Sequence, residues 1–331
     1  EMFQTINIPF NRGNLQSLIG NTNFVADFLA SSLVLILYAF FKSKKLKWSF
    51  LYWLSGTLSA ITILWCQTRF IYLGITLALL IFISLFILLL FLKKIKIKID
   101  YRKIILLIIS LLISFYFFVF PPGLPDDIPS PFENAFSRTV SVISDETKAS
   151  SSYQRRLEWK TAWEMFKDKP IFGNGWGSYK LLSADYQMEI TRTDPEFYGY
   201  YQKDYEAHSD WLQILAEGGI ISFILFVLII ILVIFMGIKL IIKGDLLALA
   251  VLCSFSVILT HSFVEFPLHM QPSNAIFGVL GSYLLKELSK KRFKENAVLI
   301  LTLLMIPSLY LGAKFVVGDI FASISYRNNA Y

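Results

Sequence analysis

The feature that most limits how this chain can fold is a repeated pattern. Apolar runs near 20 residues long alternate with short clusters of lysine and arginine. A run of that length crosses the hydrocarbon of a bilayer as an α-helix, the one open-ended structure whose backbone groups are all satisfied internally. The runs cover residues 24–41, 48–66, 70–92, 104–120, 219–242, 246–264, 272–285 and 297–317. Hydrophobic residues make up 55% of the 331, more apolar surface than a water-soluble domain of this length carries. The expected fold is all-α: a polytopic membrane protein with about eight transmembrane helices. It divides into an N-terminal transmembrane part (1–120), a large outer loop (121–217) and a C-terminal transmembrane part with an outer tail (218–331).

The charges give this pattern a direction. Basic clusters fall at 42–47, 93–103, 239–243 and 286–294, and eight spans put all four on one side. The positive-inside rule makes that side the cytoplasm. Arg69, the 121–217 segment, His261 and His269 then lie at or near the outer face. The net charge of +7 belongs to these clusters, so it reports topology rather than a nucleic-acid surface. Between Pro121 and Asp210 the balance reverses, with 15 Asp/Glu against 10 Lys/Arg. A segment this long and rich in aromatic residues is expected to be folded and functional. Within it, Ser150–Lys169 reads as a helix, with Leu157, Trp159, Trp163 and Phe166 at spacings near three and four. Its tryptophans suit the membrane interface. Pro170 and the GNGWG run at 173–177 end it. The chain opens at Glu1 in polar, loop-like sequence without a signal-peptide pattern, so an N-terminal part is expected to be missing.

Several residues can carry chemistry. Arg69 stands between two apolar runs, where an arginine is costly unless it meets water, an anion or a carboxylate. It reads equally as an anion site or as a snorkelling interface residue. Arg155 and Arg156 offer a planar fork suited to a diphosphate, or a plain solvated helix face. His208 precedes an apolar run, where a neutral imidazole can take a proton from a hydroxyl, with Glu206 or Asp210 to orient it; the plainer reading is a surface-loop histidine. Glu217, followed by two glycines, could pair with one of the arginines. His261, Glu265 and His269 recur at spacings of four, a register that Pro267 interrupts. A zinc site there lacks a convincing further ligand, and no metal is expected. Asp126 and Asp127 could hold a cation but read more simply as a proline-flanked turn. Cys66 and Cys253 lie in apolar runs, with no disulfide framework. Walker, GxSxG and dinucleotide motifs are absent, which argues against an ATP-driven pump and an ordinary serine hydrolase.

Taken in order, these stretches resemble the O-antigen ligase-like superfamily. They are GNTNFVADFL (20–29), TRFIYLGI with Arg69, the Arg155-x-x-x-Trp159 helix, PIFGNGWGSY (170–179) and HSDWLQILAEGGIIS (208–222). The stretch FVEFPLHMQPSN (263–274) is similar to the protein O-oligosaccharyltransferase branch. The resemblance implies a GT-C-type glycosyltransferase of the bacterial inner membrane, with its active site facing the periplasm and no cofactor. The donor it implies is a glycan on undecaprenyl diphosphate. The acceptor is a glycolipid, a protein Ser/Thr or a growing glycan; the last would make the enzyme a repeat-unit polymerase. His208 matches the family's essential histidine. Arg69 and Arg155 match the diphosphate arginines, with Arg156 as an alternative to Arg155. Glu217, Glu265 and His261 are supporting candidates. A lipid-glycan transporter is the reading of another class; it would need ionisable groups at the midplane of several spans.

Overall fold

The computed structural model describes residues 21–95, 100–122, 129–143, 150–201 and 205–286. The apolar run 297–317 and the pair Asp126–Asp127 lie outside the described residues. By its internal contacts the chain divides into two units, Glu1–Leu284 and Leu285–Tyr331, and every element below belongs to the first.

Among the described residues the fold is helical throughout. Four membrane-length helices come first: α1 (Thr22–Lys42), α2 (Leu46–Cys66), α3 (Arg69–Phe91) and α4 (Tyr101–Val119). Three helices fill the polar segment: α5 (Pro131–Ile143), α6 (Ser150–Asp168) and α7 (Ser178–Thr193), with a 3₁₀ turn at Pro195–Tyr200. Then come α8 (Asp210–Ile242), α9 (Leu246–His261), a short 3₁₀ turn at Pro267–His269 and α10 (Gln271–Leu284). Asn21, Asp100, Ser209 and Asp245 cap α1, α4, α8 and α9, each accepting a hydrogen bond from a first-turn amide. Ser130 and Glu133 form a reciprocal capping box at α5.

Five helices, α1–α4 and α8, are long and apolar enough to cross a membrane, which makes the chain a multi-pass membrane protein. Two expected boundaries move. The span expected to begin at Gly219 is the far part of a 33-residue helix that starts at Asp210 and bends at Gly219, whose φ of 65° lies outside the helical range. The run expected to reach Val264 stops as a helix at His261, because Ser262–Glu265 turn away toward the polar end of the bundle.

Helix α9 is the centre of the bundle. Its residues from Ala248 to Ile258 are all buried, packed among α1, α3, α8 and α10. Small residues permit close approach: a Cβ on Gly74 of α3 would stand 3.3 Å from the Val257 carbonyl oxygen. Ser254 Oγ of α9 donates to the Ser31 carbonyl of α1.

The two ends of the bundle differ in kind. At one end, Lys103 Nζ donates to the carbonyls of Phe40, Phe41 and Ser43, at 2.9, 2.9 and 2.6 Å. The α8–α9 turn at Gly244 lies against Lys94, and Tyr283 of α10 donates to Asp245. The lysine-rich turns after α1, α3 and α8 therefore gather together. The opposite end holds the starts of α1, α3 and α8, the end of α9, and the helices α6 and α7.

Candidate functional site

His208 sits at that opposite end, in the bend leading into α8. Its backbone is left-handed (φ 47°), a conformation that costs a side-chain-bearing residue about 1 kcal/mol and persists only where the surroundings impose it. Three contacts impose it. Trp159 Nε1 of α6 donates to the His208 carbonyl at 3.0 Å. The imidazole meets the Phe266 ring edge-to-face, with centroids 4.9 Å apart. Its Nδ1 lies 2.9 Å from Glu265 Oε2.

Glu265 is the hub. Its side chain is 1% exposed, yet both oxygens are engaged. Oε2 takes the histidine; Oε1 takes the Arg155 guanidinium and, at 2.9 Å, the Asn23 amide of α1. Burial alone would raise this carboxyl. The His208 hydrogen bond and the positive charge of Arg155 outweigh burial and hold it below the ordinary carboxylate range. An ionised carboxylate only accepts, so Nδ1 carries the imidazole proton and the lone pair of a neutral ring lies on Nε2. A second buried carboxylate, Glu158 of α6, has Oε2 4.0 Å from that Nε2, beyond hydrogen-bond reach.

Arg155 reaches this hub from α6, with its guanidinium 5.9 Å from the Phe70 ring centroid. Its side chain is 27% exposed, so the rest of its fork can meet solvent or a ligand. Phe70 follows Arg69, the exposed first residue of α3. Thr68, on the other side of Arg69, donates through Oγ1 to Asn23 Oδ1 at 3.1 Å, and Asn23 continues to Glu265. Both chain neighbours of Arg69 thus belong to the network around His208.

The remaining candidates separate. Arg156 points away: it pairs with Glu196 at 3.5 Å and lies over the rings of Tyr153 and Phe197. Glu217 meets backbone rather than an arginine, accepting from the amides of Gly177 at 2.9 Å and Tyr179 at 3.1 Å. His261, fully buried at the end of α9, lies 3.2 Å from Asp27 of α1 and makes no direct contact with His208 or Arg155 among the bonds of this site. His269 pairs instead with Asp210 at 2.6 Å, with Glu206 4.0 Å away. The register of four between His261, Glu265 and His269 is broken by the turn, and each binds a different partner. Among the described residues no three His, Cys, Asp or Glu side chains are placed to hold a metal ion.

Residues 54–227, just over half the chain, match the model of a family described as O-antigen ligase. The chain belongs to the O-antigen ligase family. No curated protein and no solved structure matches it. The O-antigen ligase match runs from α2 into α8, and so takes in Arg69, Arg155 and His208. Membership makes the chain a membrane glycosyltransferase of the ligase and polymerase type, acting on lipid-linked glycans.

For this O-antigen ligase family chain, sequence reasoning missed Glu158, Asn23 and the anchoring role of Trp159. Glu158 looked like one charge on a solvated helix face. The signal that could have found it is its place between Leu157 and Trp159, on the face that α6 buries. Asn23 gave no local signal, because its partner Glu265 is 242 residues away.

Proposed function

We propose that this end of the bundle transfers a glycan from undecaprenyl diphosphate to an acceptor hydroxyl, on the outer face of the bacterial inner membrane. The observation that carries the reading is the geometry at Glu265: one ionised carboxylate fixes the imidazole of His208 and the guanidinium of Arg155 side by side. A base for a hydroxyl and a cation for a leaving phosphate are the two groups such a transfer requires.

In the proposed step His208 Nε2 takes the proton of the acceptor hydroxyl as its oxygen attacks the anomeric carbon. The bond from that carbon to the phosphate oxygen breaks on the opposite face, inverting the centre, and the electron pair leaves with the diphosphate. Arg155 and Arg69 offset the charge developing there, with the N-terminal amides of α3 beside Arg69 adding to the field. Glu265 keeps Nδ1–H in place and stabilises the imidazolium. No metal enters the step.

The test is the full chain, reconstituted with a defined undecaprenyl-diphosphate glycan and candidate acceptors. His208→Ala is expected to lower transfer by about 100-fold or more; unchanged transfer at equal protein levels would end the reading. The FVEFPLHMQPSN stretch favours ligase or protein O-oligosaccharyltransferase chemistry. Product linkage and length decide: glycan on a glycolipid or on Ser/Thr supports it, and lengthening chains show a polymerase.

A further inference from the structure

The loop between α6 and α7 carries an apolar tip whose exposure has no use in water. Ile171, Phe172 and Trp176 are 56%, 76% and 69% exposed. They face outward because the other side of the loop is backbone laid on backbone. Ile220 N donates to the Pro170 carbonyl at 2.8 Å, Asn174 N to Ala216 at 3.1 Å, and Gly175 N to Glu217 at 2.8 Å. Gly173 and Gly219 meet where the strands of chain cross, and a Cβ on either would collide with the other segment's backbone. Backbone fills the crossing itself, and only the edge of the Trp176 ring leans back, over Gly218.

The loop's height is fixed by the same contacts. It lies against α8 at 216–221, where buried Glu217 and two glycines give way to the unbroken apolar run of the span. The exposed Ile220, Ile221, Ile224 and Leu225 of that span continue the apolar surface of the loop. Lys169 and Lys180, both exposed, flank the tip. Aromatic and aliphatic groups at the boundary, with lysines reaching to headgroups, are the composition of an interfacial anchor.

We propose that the 170–177 loop is a membrane anchor, inserting Ile171, Phe172 and Trp176 into the bilayer boundary at the end of the bundle opposite the lysine-rich turns. The occupant of this face is lipid, because the face is continuous with the lipid-facing side of α8. Of the two α6 tryptophans, Trp159 is not part of such an anchor, since it is turned inward onto His208. The inference rests on the multi-pass fold and not on the transfer reaction.

The test places spin labels on the full chain in nanodiscs of phosphatidylethanolamine and phosphatidylglycerol. Phe172→Cys and Trp176→Cys are compared with Leu225→Cys on α8 and with Tyr198→Cys, on a residue 82% exposed in the Pro195–Tyr200 turn. Cys66 and Cys253 are buried, and the unmutated chain gives the background. Labels at 172 and 176 are expected to collide several-fold more often with oxygen than with a water-soluble nickel chelate, as at 225, with the reverse at 198. A preference for the chelate, or shielding from both, overturns the anchor; shielding means that protein covers the face. Quenching by brominated lipids is an independent measurement. The fluorescence lost in Trp176→Phe is expected to be the fraction most quenched by lipids brominated near the headgroup. Equal quenching with and without Trp176 counts against insertion.

Discussion

At the residue scale the centre turns on one carboxylate with two partners. Glu265→Gln keeps the shape but removes the charge that fixes the His208 tautomer and offsets Arg155. Transfer is expected to fall by at least about tenfold, mainly in kcat, with the pH profile displaced; steady-state rates across pH check this. Trp159→Phe removes the donor to the His208 carbonyl and leaves a strained residue less constrained. It is expected to cost about 1 kcal/mol of stability and several-fold in rate, read by thermal unfolding and the same assay. A second carboxylate–imidazole pair gives a signed pH prediction. Burial would lower the His269 value, but its bond to Asp210 and the charges of Asp210, Glu206 and Glu217 raise it above the ordinary 6.5. A raised value means that the pair's stabilisation is complete below about 6.5 and fades as pH rises through the folded value. The stability gap between the parent chain and His269→Gln is therefore expected to be widest at mildly acid pH and to close in alkali, as followed by unfolding in detergent.

At the scale of elements, the sequence carried much of the fold, for a simple reason. Run length and flanking charge report membrane helices locally, so α1–α4 are legible from their apolar stretches, and α6 from its periodicity and its Pro170 stop. Other features depend on distant contacts. Nothing local shows that α8 begins at Asp210 and continues through Gly219, since paired glycines ordinarily read as a break. Arg155 and Arg156 are neighbours with the same chemistry. Only the packing of α6, which turns Leu157 and Glu158 inward and Arg156 toward Glu196, tells them apart. The crossing of loop and helix gives this scale its own prediction. Gly173→Ala and Gly219→Ala each place a Cβ into backbone at positive φ. Each is expected to destabilise the chain by about 2–4 kcal/mol, measured as a lowered Tm in detergent, whereas Gly199→Ala, with open space around it, is expected to be nearly neutral.

At the scale of the whole molecule, the two ends of the bundle are chemically unlike. Lysine-rich turns gather at one end, and His208, Arg155, Glu265 and the start of α3 at the other. Cysteines introduced at Lys44 and Tyr198 are expected to react with an impermeant reagent from opposite sides of a sealed vesicle. Labelling from the same side would contradict the arrangement. The backbone seam between the 170–177 loop and α8 bears on how such a chain tolerates change. Main-chain amides and carbonyls are the same whatever residue carries them, so the seam leaves positions 171, 172 and 176 free to vary while it binds 173 and 219 to the smallest residue. Substitutions of one greasy side chain for another at the tip should leave the molecule intact, because the seam that holds the loop does not read side chains.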